Sequence, residues 1–232
     1  MPARPVSLSA LVLTALFGLA ASAQTPVLLA QNTAPAVGTT PSLTAYTGHY
    51  TSDGGLVQVD ATADGLVLTA HGATVAARLA GLATSDDRLD AHAADLLDAW
   101  VAGDLRPLVA SVAPERTEAA DADFATYRTA LVRGHGEAVA GNVIATFRQV
   151  DGRRATLAQI LFEHGTEFVS FVWADDGALS TLTRGLSPVV LGEVRPIGPD
   201  AFEGAGTVLR FERADDGRIA SVSVGDRLVA AR

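Results

Sequence analysis

Histidine–carboxylate pairs and an isolated serine are the features of this sequence whose residue types could do chemistry. His92 and Asp95 stand three apart in a segment of helical apolar spacing, which can bring two metal ligands to one face. Two ligands do not close a site, and His49, His71, His92, His135 and His164 are otherwise scattered, so an exposed polar face is the better reading. His135-Gly136-Glu137 has the His-x-Glu form of zinc deaminases, but those also need cysteine ligands, and the chain has no cysteine. Gly185-Leu186-Ser187-Pro188 lacks the second glycine of a nucleophile elbow, and Pro188 obstructs the helix that must follow. Gly204-Ala205-Gly206 lacks a third glycine and leads into a strand, not a dinucleotide-binding helix. Asp175-Asp176-Gly177 and Asp215-Asp216-Gly217 lack the spaced acids of a calcium loop and stand where hairpins turn. These motifs predict no catalytic residue, no metal and no cofactor.

The elements that carry these residues alternate in period. From Tyr46 the apolar period is two: Leu56-Val57-Gln58-Val59 follows a turn at Asp53-Gly54-Gly55, and Leu66-Val67-Leu68-Thr69 follows Asp64-Gly65. Val75 to Leu82 alternates too and reads as a third strand. A helix is then expected from a cap at Asp86 or Asp87, with Leu89, Ala93, Leu96, Leu97, Trp100 and Val101 on one face and a stop at Gly103. Leu105, Leu108, Val109 and Val112 mark a second helix, and Phe124, Tyr127 and Leu131 a third that ends near Gly134. Strands are expected at 138–150, 155–163, 167–173 and 179–184, separated by tight turns. Pro188 to Pro199 reads as a linker, and 208–213 with 219–224 as a final hairpin.

Composition limits the compartment and the partners. Arg4, the apolar run Leu8 to Ala20 and Ala21-Ser22-Ala23 form an export signal over residues 1–23, too short for a stable membrane anchor. Residues 24–43, with Pro26, Pro35 and Pro41, read as a flexible linker. The expectation is a periplasmic or extracellular protein after cleavage near Ala23. Absence of cysteine excludes disulfides, thiol catalysis and lipoprotein attachment. Acidic residues outnumber basic ones by nine, and every basic side chain except histidine is arginine. That balance argues against nucleic acid as a partner. The remaining length suits two domains.

The two ends resemble the small lipocalin-like β-domain that follows many exported serine hydrolases of the β-lactamase and penicillin-binding-protein group. Tyr46, Gly48 and Tyr50 match its opening, and Asp64-Gly65-Leu66 its second strand. Arg195 to Phe202 matches its middle, and Phe211, Arg213, Asp216, Gly217, Arg218 and Ile219 its last hairpin. The hydrolases themselves need a serine with a lysine three residues on, and this chain has no lysine, nor a Tyr-x-Asn element. The middle, by helix order and long meander, resembles the cone-shaped nuclear-transport-factor-2-like fold, which includes ketosteroid isomerase. Together these imply an α+β protein: a small antiparallel β-barrel from 44–82 plus 191–232, split by an inserted unit at 84–190 with three helices packed on a curved antiparallel sheet.

In that cone fold the helices and the concave sheet face enclose a pocket. The resemblance places Asp123, Tyr127, Gln159, Glu163, Trp173 and Arg184 there as candidate ligand-binding residues, although Tyr127 is spaced with Phe124 and Leu131 as core residues are. It implies a small apolar ligand and a homodimer through the sheet of the insert. The expected function is an exported, non-catalytic binding or accessory protein. The alternative is a small-molecule isomerase or lyase acting in the cone, which needs converging ionisable groups in an open pocket.

Overall fold

Apolar–polar alternation at both ends of the chain produces a closed barrel. The computed structural model describes residues 42–225 and 227–232. The expected signal, its cleavage site and all but the end of the 24–43 linker lie outside the described residues. Three strands come first, β1 (Gly48–Ser52), β2 (Gly55–Ala61) and β3 (Leu66–His71). Five come last: β8 (Val189–Gly198), β9 (Ala201–Gly204), β10 (Thr207–Arg213), β11 (Ile219–Val224) and β12 (Arg227–Ala231). They pair antiparallel in the order β3-β2-β1-β12-β11-β10-β9-β8, and β3 pairs with β8 to close the circuit at eight strands. Closure removes the open edges that a flat sheet would present.

Inward positions of the barrel are large and apolar. Tyr46, Tyr50, Leu66, Leu68, Phe202, Leu209 and Phe211 are all buried. The rings of Tyr46, Phe202 and Phe211 meet at centroid distances of 4.9–5.5 Å, so residues from both ends of the sequence form one aromatic cluster. The buried Tyr50 hydroxyl donates to the Tyr46 carbonyl at 2.6 Å. A short helix, α1 (Ala73–Arg78), plugs the barrel with Val75 and Ala76, followed by a 3-10 turn carrying Leu82. Its entry at Gly72 (φ +114°) has no room for a side chain: a Cβ there would stand 2.4 Å from the Gly54 carbonyl oxygen.

Between the two groups of barrel strands lie α2 (Asp87–Val101), α3 (Arg106–Ser111) and α4 (Thr117–His135), then β4 (Ala138–Gln149), β5 (Arg154–Phe162), β6 (Gly165–Trp173) and β7 (Leu179–Arg184). Asp86 caps α2 by accepting the Leu89 amide at 3.2 Å, as the sequence predicts. The stripe Leu89, Ala93, Leu96, Leu97 and Trp100 is buried against the sheet. The meander β4-β5-β6-β7 is antiparallel throughout, and β4 also pairs with β8, so sheet and barrel share a strand. The molecule is therefore α+β, with an eight-strand closed antiparallel barrel and, among the described residues, four α-helices.

Three expectations are corrected. Residues 75–82 are helical, not a strand: Val75, Ala76, Leu79 and Leu82 are all buried at helical spacing, and the alanines around them favour helix. Pro188 to Pro199 is not a linker but contains β8, the strand that closes the barrel. The hairpin at 208–224 is not the last element, because β12 returns to pair with both β11 and β1.

Candidate functional site

Helix packing decides what the space between α2–α4 and the β4–β7 sheet can hold. Between α2–α4 and the sheet, Trp100, Phe124, Phe162, Phe171, Trp173, Leu179 and Leu182 are buried against one another. Trp173, only 1% exposed, stacks beside Phe171 and donates its indole N–H to Thr156 Oγ1 at 2.8 Å. It is a wall of the core rather than a platform facing solvent. A cavity of about 50 Å³ remains beside α4, lined by Arg116, Asp123, Tyr127 and Leu182. That is far below the roughly 300 Å³ at which small-molecule sites begin.

The six residues singled out by sequence do not converge on one chamber. Asp123 and Tyr127 share the small cavity, with Asp123 exposed. Gln159 projects from the opposite face of β5, because its neighbours Ala158 and Ile160 belong to the helix-side core. Glu163 is exposed in the turn after β5 and accepts the Glu137 amide at 3.2 Å. Arg184, 63% exposed, closes on Glu167: its Nε donates to Oε2 at 2.9 Å and its Nη2 pairs with Oε1.

Glu167 is the residue that sequence reasoning missed at this end of the unit. It accepts from Arg184, and His135 Nε2 lies 3.0 Å from Oε1. Hydrogen bonding from the Arg184 guanidinium holds its carboxyl below the ordinary range, with His135 adding to the effect. The Tyr127 hydroxyl is buried without a hydrogen-bond partner. Burial first, then the Glu167 charge, pushes its pKa up to about 12. A weakened base and a weakened acid are poorly matched to proton transfer near neutrality. Alternation along β6 was the available signal for Glu167, since 167, 169, 171 and 173 share the helix-facing side.

A larger concavity lies where the barrel meets the sheet. Its volume is about 420 Å³, and it is bounded by the segment before α2, the end of β4, the start of β5 and β8. Ser85, Asp86, Thr146, Arg148, Arg154 and Leu191 contribute to its wall. Polar order here is dense. Thr146 Oγ1 donates to Asp90 at 2.7 Å and lies 2.5 Å from Thr156 Oγ1, which also accepts Trp173. Asp86 accepts Arg154 Nη1 at 2.9 Å. The sequence signal was present in the adjacent pair Arg153-Arg154: Arg154 opens β5 and lines the seam.

Among the described residues no helix is long and apolar enough to cross a membrane, and no group of three or more His, Asp or Glu side chains gathers as a metal site requires. Comparison with family models, with curated proteins and with solved structures finds no match for this chain, so the geometry of the seam and of the filled cone is what bears on function.

Proposed function

We propose that this is a non-catalytic binding or accessory protein: a lipocalin-like barrel interrupted over residues 84–190 by a cone-shaped α+β unit, with its ligand site at the seam between them. The observation that carries the reading is the filled cone. Trp100, Phe124, Phe171 and Trp173 occupy the space where a reaction chamber would lie. The seam supplies a concavity of metabolite size that touches both parts, and it mixes an apolar wall with fixed polar groups, as small-molecule sites do. The circuit joining β1–β3 to β8–β12 supports the interrupted-barrel reading. Export rests on the signal at residues 1–23.

A thermal-shift screen of small metabolites on the purified chain, with mass spectrometry of every stabilising compound after incubation, tests this. Stabilisation with the compound recovered unchanged is expected. Conversion of a stabilising compound to product, abolished in Tyr127→Phe, would establish the isomerase or lyase reading in its place.

A further inference from the structure

We infer that the seam cavity binds a small organic monocarboxylate, its charged end held by Arg148 and its apolar body against β8. The inference rests on the seam being the ligand site. Arg148 of β4 and Arg154 of β5 are direct cross-strand partners, one step along from the Thr146–Thr156 pair and on the same face. Like charges so placed repel and destabilise a sheet unless something lies between or beside them.

The neighbouring carboxylates relieve only one of the two. Asp86 Oδ2 takes Arg154, and its Oδ1 takes the Leu89 amide at the start of α2. Asp90, one helical turn further on, is engaged by the Thr146 hydroxyl. Among the described residues Arg148 has no ion pair, although it lines the same cavity. The wall therefore carries one guanidinium outside any ion pair. A guanidinium fork matches a carboxylate in two parallel hydrogen bonds, so one guanidinium without an ion pair on the wall fits a single anionic group. Val190, the cross-strand partner of Arg148 on β8, and Leu191 line the cavity beside it, so the rest of the ligand is apolar. At about 420 Å³ the cavity falls within the roughly 300–1,000 Å³ range of small-molecule sites.

The test uses the full chain with benzoate and 4-methylpentanoate, and their neutral amides, by calorimetric titration. Wild type, Arg148→Gln and Thr84→Trp, a bulky residue at the cavity lip, are compared, and unliganded unfolding transitions confirm that each variant is folded. Expected is binding of the acids but not the amides, weakened about tenfold or more in Arg148→Gln and lost in Thr84→Trp. Amides that bind as well as the acids, with affinity lost only in Thr84→Trp, overturn the carboxylate inference and leave the seam as the site. Acids that bind all three proteins equally overturn the seam itself. Absence of binding by any probe overturns the inference for this ligand class, and phosphate and acetate controls that bind as tightly as the acids reduce it to unspecific anion attraction.

Discussion

The barrel and the α+β unit each contain a tyrosine, a carboxylate and an arginine in one group, and the two groups behave differently. In the barrel, the Tyr46 hydroxyl donates to Asp200 Oδ1 at 2.9 Å. Arg213 grips both oxygens of that carboxylate and lies over the Tyr46 ring at 5.7 Å. Every polar atom has a partner, and residues 154 positions apart are tied together. In the α+β unit, Arg184 and His135 both bind Glu167, while the Tyr127 hydroxyl is left alone. The same three residue types thus form a lock in one place and an incomplete network in the other. Composition of a cluster does not reveal its role; the difference lies in whether the tyrosine proton has somewhere to go.

The largest way to break the comparison is to remove the rings. Tyr46→Ala deletes a buried side chain that makes two aromatic contacts, and should cost about 3–5 kcal/mol by urea unfolding. Tyr127→Ala, at a partly buried site, should cost clearly less. Equal losses would show that the two groups are energetically alike.

A finer cut removes only the hydroxyls. Tyr46→Phe should cost about 1 kcal/mol, the net worth of a hydrogen bond, whereas Tyr127→Phe should be neutral or stabilising because it deletes an unpaired buried group. Alkaline titration adds a second readout. All three tyrosines are raised above the ordinary 10.0, chiefly by burial, and Tyr127 reaches about 12. The folded state keeps a proton that the unfolded chain loses above pH 10, so stability present below that pH should fall as it rises toward 12. Tyrosinate absorbance should lag the free value, and Tyr127→Phe should remove the latest-titrating step. A tyrosinate signal half-developed at pH 10 in the folded protein would sink this reading.

The smallest effect concerns acid. Arg213 depresses the Asp200 carboxyl and Arg184 that of Glu167, each chiefly by hydrogen bonding. Depressed carboxyls stabilise the fold above their ordinary pKa values, and this is lost as pH falls through the lowered ones. Below the ordinary 3.8 and 4.5, urea midpoints should therefore decline. Arg213→Ala should flatten the Asp200 part of that decline. Arg184→Ala should change it less than Arg213→Ala does, since Arg184 is exposed and His135 still holds Glu167.

Legibility in the sequence followed the strength of local constraint. Helix α2 was readable because Asp86 caps it and five apolar residues repeat on one face. The meander was readable because Asp-Gly and His-Gly turns punctuate it. Strand β8 was not, because Pro188, Pro196 and Gly198 imitate a linker. Its register shifts between Pro196 and Gly198, which lets a residue without an N–H sit in the sheet. Helix α1 was misread because Val75, Ala77 and Leu79 alternate while Val75, Ala76 and Leu79 also satisfy a helix, and only packing inside the barrel chooses between them. At the candidate site, the Thr156 partner of Trp173 and the seam arginines depend on which strands become neighbours. That is a long-range fact with no local signature.

Strand β1 pairs with β12 through Thr51 and Ala231, a hundred and eighty residues apart. The barrel therefore cannot close until β12 is available. Until then β1 keeps an unpaired edge, and such edges recruit other strands. Contacts this distant also make folding slow for a given stability. The protein's vulnerable period thus falls before closure, and loss of a few C-terminal residues would reach a barrel whose first strands begin near residue 48.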